Sequence, residues 1–133
     1  MILIQLFFIV LAGGCGAVVR AWLDSLITTH TRAKWPVGIF TVNVLGCFCI
    51  GALIGFAFLP FFKEISPVIT LGFLGGFTTF STAMTDVVHL AQQKRYVASV
   101  ALLTGTYISA FIALYIGLWL PTLIFFSLMY SLI

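Results

Sequence analysis

The chain has 133 residues, of which 62% are hydrophobic and 7% are charged, and its formal net charge is +3. A soluble domain carries about 25% charged residues, so this composition excludes an ordinary water-soluble enzyme. It also excludes a disordered chain, which needs low hydrophobicity and high net charge. Such a small positive charge does not provide a nucleic-acid surface. The composition predicts a small integral membrane protein in which residues 1–133 form one domain.

Four stretches are long and apolar enough to cross about 30 Å of hydrocarbon as helices. Polar, charged or proline-containing segments separate these stretches, which are residues 2–23, 37–59, 67–90 and 97–120. Their apolar runs are continuous rather than alternating, which favours helices over a β-barrel. The tail at residues 122–133 is too short to span, and Pro121 either ends the fourth helix or kinks it. The tail then lies at the interface or extends the helix.

The distribution of basic residues bears on orientation. With four spans, the side that holds both termini carries only Lys63, and the other side carries Arg20, Arg32, Lys34, Lys94 and Arg95. The positive-inside rule therefore favours a single orientation, with the first and third loops in the cytoplasm.

The third span is rich in glycine and hydroxyl residues, with Gly75 and Gly76 near its middle. Glycine costs about 1 kcal/mol in a helix interior, and the hydroxyl side chains that follow can bond backbone groups. This pattern is typical of a helix break at mid-membrane, where freed carbonyls can coordinate a cation such as Na⁺. The alternative interpretation is a small-residue face on which helices pack closely.

Other polar and aromatic residues also have two interpretations. Asn43 in the second span is either an interhelical hydrogen-bonding residue or a contact for a transported ion. Phe77 and Phe80 lie on one helical face if the helix resumes there, and their positive ring edges can favour an anion. The alternative interpretation is that both rings face lipid or pack in the protein core. Rows of small residues on the first and second helices predict close packing; they are Gly13, Gly14 and Gly16, and Cys47, Gly51 and Gly55.

Three motifs, in this order, resemble those of the Fluc/CrcB fluoride channels. Residues 13–20 (GGCGAVVR) resemble the first-helix signature, and residues 38–51 (GIFTVNVLGCFCIG) resemble the second-helix signature with its central Asn. Residues 72–82 (GFLGGFTTFST) resemble the third-helix signature. The resemblance covers about residues 10–90, and the fourth helix matches only in hydropathy and length.

The resemblance implies an all-α membrane protein with four transmembrane helices and a break in the third. It implies an antiparallel, dual-topology homodimer in the bacterial inner membrane, which exports cytoplasmic fluoride passively and confers fluoride resistance. The residues that match the fluoride pathway are Asn43, Phe80, Ser81, Thr82 and Tyr107.

The resemblance also implies a structural Na⁺, held by the backbone carbonyls of Gly75 and Thr78 from both subunits. The chain departs from the family pattern at one position: the second of two pathway phenylalanines is expected at residue 83, which is Ala83 here.

Three other functions are weighed against a channel. A four-helix proton-coupled multidrug antiporter needs an acid inside the membrane, whereas Asp24, Glu64 and Asp86 all lie away from the middle of a span. A non-transporting packing subunit explains the glycine rows but not Asn43 with the hydroxyl cluster. An intramembrane enzyme needs a nucleophile–base or carboxylate pair at one depth, and the sequence places none there.

Overall fold

The computed structural model describes residues 2–31, 36–57 and 65–131, and in these residues its regular structure is helical. Helix α1 is Ile2–Thr31 and α2 is Val37–Gly55. The third span, Ile65–Gln92, comprises a π-helical segment (Val68–Leu74), the short α3 (Gly75–Phe77) and α4 (Phe80–Gln92). The last helix, α5, is Tyr96–Ser131. Four segments are thus long and apolar enough to cross a membrane, which confirms the predicted number of spans.

Three helix ends differ from the sequence-based boundaries. Helix α2 ends at Gly55 rather than at residue 59, which lies outside the described residues. The first helix continues to Thr31 rather than ending at residue 23. Its polar end stays helical because residues 24–31 (DSLITTHT) contain no Gly or Pro that would end the helix. The hydroxyls there bond back onto the helix, and the Thr29 hydroxyl donates to the Ser25 carbonyl over 2.7 Å. Hydropathy therefore marks where a span becomes polar and not where the helix stops.

Pro121 does not end the fourth span. Helix α5 runs through Pro121 to Ser131, and so the tail extends the helix. Proline removes one backbone donor and crowds the carbonyl four residues earlier. Here its ring is buried beside Gly55, the last residue of α2, where an added Cβ would lie 3.2 Å from the Pro121 Cγ atom. Packing against α2 holds this part of α5 in place.

Glycines bring α2 and α5 into direct backbone contact. A Cβ added at Gly51 would overlap the Leu114 carbonyl, and one added at Gly117 would overlap the Phe48 carbonyl. Small residues allow such close approach, which maximises van der Waals contact where lipid offers no hydrophobic driving force. The close packing predicted for Gly51 and Gly55 is confirmed.

The first half of the third span packs against α1 in the same way. A Cβ at Gly76 would overlap the Gly13 carbonyl, and a Cβ at Gly16 would overlap the Phe73 carbonyl. Gly14, by contrast, has nothing within 4 Å of its Cβ position. The second half packs on α5 instead, where the Ser99 hydroxyl donates to the Val87 carbonyl over 2.7 Å. The two halves of this span thus belong to different helix pairs.

We predict that Gly51→Ala destabilises the protein by about 1–3 kcal/mol, because the new methyl group forces α2 away from the Leu114 carbonyl. Thermal unfolding in detergent measures the change. Gly105→Ala is the matched control on α5, since a Cβ there meets nothing within 4 Å. Equal stability of the two variants would contradict the close α2–α5 packing.

Candidate functional site

The third span is interrupted at two threonines. Thr78 (φ −78°, ψ 148°) and Thr79 (φ −147°, ψ 119°) are extended, and α4 begins at Phe80. The predicted break is confirmed, but it lies after the glycines, because Gly75 itself keeps helical angles (φ −63°, ψ −36°). Gly76 packs against α1 rather than unwinding the chain. The threonines therefore form the predicted helix break, and Gly76 belongs to the alternative, a small-residue face on which helices pack closely.

Asn43 replaces the hydrogen-bond partners that Thr79 loses at the break. The Thr79 N–H donates to Asn43 Oδ1 over 2.8 Å, and Asn43 Nδ2 donates to the Thr79 carbonyl over 2.9 Å. Both residues are buried. An unpaired backbone group inside the membrane costs several kcal/mol. By pairing both groups, the Asn43 amide stabilises the extended conformation of Thr79. Asn43 is thus the interhelical hydrogen-bonding residue that its sequence position suggested.

Three hydroxyl groups meet at the start of α4. Thr79 is its N-cap residue, and its side chain accepts from the Thr82 N–H over 3.4 Å. The Thr79 hydroxyl also lies 3.3 Å from Ser81 Oγ and 3.1 Å from Thr82 Oγ1. Hydroxyls both donate and accept, so this cluster can adjust to an ion of either sign.

A cavity of about 200 Å³ opens beside the break. Phe80 forms one wall, and its ring lies 5.9 Å from that of Tyr107 between centroids, at an interplanar angle of 59°. Phe80 is 61% exposed and Tyr107 is 42% exposed. The lining also includes Asn43, Cys47, Thr78, Thr79, Ala83 and Thr106.

Phe77 and Phe80 do not share a face. The extended residues between them turn the chain, so Phe77 is 7% exposed in the core and stacks on Phe73, with ring centroids 6.0 Å apart. The expectation that Phe77 and Phe80 share one face holds only if the helix is continuous between them. Phe80 alone of this pair lines the cavity.

Of the predicted pathway residues, the cavity brings together Asn43, Phe80 and Tyr107. Ser81 and Thr82 are not in its lining, and they reach it only through the Thr79 hydroxyl. Sequence reasoning missed Cys47 as a lining residue. Cys47 lies one helical turn after Asn43, and this spacing was the available signal.

Among the described residues, no group of three His, Cys, Asp or Glu side chains can hold a metal ion. The break offers backbone oxygens instead. In a continuous helix the Thr79 N–H would bond the Gly75 carbonyl, but it donates to Asn43. The Gly75 carbonyl therefore loses its regular donor, and Gly75 lies at the exposed surface of the chain.

A helical multi-pass membrane protein with a broken span, a buried amide at the break and an adjacent cavity has the features of channels and transporters. Residues 7–118 match the profile of the family described as "CrcB-like protein, Camphor Resistance (CrcB)". This match covers most of the chain, which therefore belongs to the CrcB family.

Similar proteins align with this chain over most of their own length. The chain is 38% identical over 122 residues to the fluoride-specific ion channel FluC of Solidesulfovibrio magneticus, covering 90% of this chain and 98% of the relative. It is 38% identical to FluC 1 of Leifsonia xyli, covering 84% and 82%. It is 42% identical to FluC of Escherichia coli, covering 68% and 72%.

We predict that Asn43→Ala exposes the Thr79 amide to hydrogen exchange and destabilises the fold, since each buried group left unpaired costs about 1–3 kcal/mol. Thr41→Ala is the control on the same helix, because Thr41 bonds only its own helix at the Val37 carbonyl. Unchanged Thr79 exchange in Asn43→Ala would refute this role.

Proposed function

We propose that this chain is a fluoride-selective channel that lets cytoplasmic fluoride leave the cell passively and so confers fluoride resistance. The observation that carries the proposal is the relationship to proteins named fluoride-specific ion channels, 38% identical over 90% of this chain. The cavity adds support, because it joins Asn43, Phe80 and Tyr107 beside the break. The relatives are named as channels, which agrees with the expectation that the chain is not an enzyme.

Fluoride is small and strongly hydrated, so a pathway has to replace its water with hydrogen-bond donors. The Tyr107 hydroxyl and the positive edge of the Phe80 ring are available on the cavity wall. The Thr106 hydroxyl also lines the cavity, but it donates its hydrogen to the Leu102 carbonyl over 2.6 Å. Ser81 and Thr82 extend this set of donors along the start of α4. Asn43 positions the site through the Thr79 backbone, and its amide has a second hydrogen besides the one that it donates to the Thr79 carbonyl.

The antiporter alternative is disfavoured. It requires an acid at mid-membrane, and Asp24 instead lies against Gly38, near the start of α2. Glu64 is outside the described residues. The relatives are named for fluoride conduction and not for drug transport.

We further propose that two copies associate antiparallel as a homodimer, embedded in membrane lipid. The support is the exposure of Phe80 and Tyr107 on a half-open cavity at the depth of the break. A second copy placed over this face would complete the pathway walls and exclude lipid from the hydroxyl groups. The bacterial inner membrane is the proposed location, in keeping with the bacterial sources of the relatives.

The same assembly would provide a site for a structural Na⁺ at Gly75 and Thr78. Na⁺ favours hard oxygen ligands, and unwound carbonyls in broken membrane helices supply them. The Gly75 carbonyl fits this role, because it has lost its regular helical donor and lies at the exposed surface. When bound, the ion would supply positive charge that ties the two breaks together.

We predict that vesicles loaded with equal sodium fluoride and sodium chloride, and containing the protein, release fluoride and retain chloride once a Na⁺ ionophore is added to balance the charge. Phe80→Ile should slow fluoride release at least tenfold while the protein remains folded, because the substitution removes the ring edge from the cavity wall. An ion-selective electrode measures both anions. Phe8→Ile is the control, since Phe8 is an exposed phenylalanine on α1, remote from the cavity lining.

Equal release of both anions by the unaltered protein would overturn fluoride selectivity. Full activity of Phe80→Ile would remove Phe80 from the pathway without touching the proposed function. The two results separate the residue assignment from the channel activity.

We also predict both orientations in one membrane. A protease site at each terminus should be cleaved from outside in about half of the molecules, because an antiparallel pair holds one copy each way. Cleavage is measured on intact cells by gel shift. A single orientation would mean that the asymmetric Lys and Arg distribution controls insertion, and the antiparallel pair would be wrong.

A further inference from the structure

Helix α5 continues for ten residues past the point where it meets the last residue of α2. Helix α2 is 19 residues long, or ~28 Å at ~1.5 Å per residue, which matches the hydrocarbon thickness of about 30 Å. Its last residue, Gly55, lies beside Pro121. Pro121 therefore lies near the edge of a hydrocarbon layer that α2 spans. A straight continuation over residues 122–131 would carry the helix ~15 Å further, through the headgroups and toward water.

The extending segment has the wrong chemistry for water. Residues 96–133 contain no charged side chain and no histidine. Exposed large apolar side chains follow one another along residues 122–131: Leu123, Ile124, Phe126, Leu128, Met129 and Tyr130. Exposed apolar side chains in such a row are unfavourable in water, so lipid or another protein has to cover them. The segment also lies beyond residues 7–118, which the family profile matches, so the family relationship does not account for it.

The arrangement of these side chains favours lipid as the cover. Leu123, Ile124 and Phe126 fall on different sides of one helical turn, and all are exposed. A surface for one protein partner would be apolar on one side, and an interfacial helix would have a charged polar face. This segment has neither pattern, and acyl chains are the partner that can surround it.

The bundle restricts how the segment can reach the acyl chains. Tilting all of α5 would separate it from α2. The two helices are in backbone contact at Gly51 and Gly55 on α2 and at Gly117 on α5. At Pro121, however, the helix lacks one backbone donor, and bending is easiest where that bond is missing. We propose that α5 bends at Pro121 in the membrane and that residues 122–131 lie within the acyl-chain layer, surrounded by lipid.

The test uses the full-length chain in phosphatidylcholine vesicles, with the three native cysteines replaced and one nitroxide label at Leu123, Phe126 or Tyr130. Collision rates with oxygen, which is lipid-soluble, and with a water-soluble nickel chelate give the depth of each label. We expect all three labels below the headgroups, at depths within about 5 Å of one another. A straight helix would instead spread Leu123 and Tyr130 over ~10 Å.

Two results would overturn the proposal. Nickel accessibility that rises to a water-like value at Tyr130 would mean a straight extension. Labels that are immobile and shielded from both reagents would mean a protein cover, such as a second copy.

Pro121→Ala tests the bend itself and should move the Tyr130 label toward the nickel reagent, whereas Leu120→Ala should leave it in place. No movement in Pro121→Ala would refute the bend. None of these measurements requires fluoride, so they are independent of the proposed channel activity.

Discussion

The structure depends on the pairing of the Asn43 amide with the Thr79 backbone. A membrane leaves a peptide group no water to bond, so an interruption in a spanning helix needs replacement partners within the protein. Asn43 supplies a donor and an acceptor to the same residue. The rest of the site follows from this exchange: Thr79 can cap α4, Phe80 begins a new helix, and the cavity forms beside them. Among the described residues, every buried side-chain nitrogen or oxygen has a hydrogen-bond partner.

Much of the fold could be predicted from the sequence, because hydropathy and length determine which segments cross a bilayer. Four spans and a broken third span were predicted, and both are present. Helix ends were predicted less well. Hydropathy cannot show that Thr29 bonds the Ser25 carbonyl, nor that Pro121 packs against Gly55 and lets α5 continue. Such ends depend on local hydrogen bonds and on tertiary contacts.

The candidate site was predicted in part, for a similar reason. Asn43, Phe80 and Tyr107 came from motif resemblance, and they line one cavity. The position of the break did not follow from glycine content, because the small residues serve contact with α1 while the threonines carry the extended backbone. Helix propensity alone does not show whether a glycine interrupts its own helix or allows a neighbouring helix to approach. The assignments of ion contacts to these residues, including Gly75 and Thr78, stay predictions.

The two halves of the third span have different neighbours: the first is fixed to α1 by glycine contacts, and the second is attached to α5, where Ser99 bonds the Val87 carbonyl. The molecule is therefore divided into two blocks that meet at Thr78 and Thr79. Between these blocks, three connections oppose sliding: the chain itself, the hydrogen bonds from Asn43 to Thr79, and the packing of Asp24 on α1 against Gly38 on α2. Thr78 ends the first block and Phe80 begins the second, and both line the cavity, so the shape of the cavity depends on how the two blocks are placed against each other.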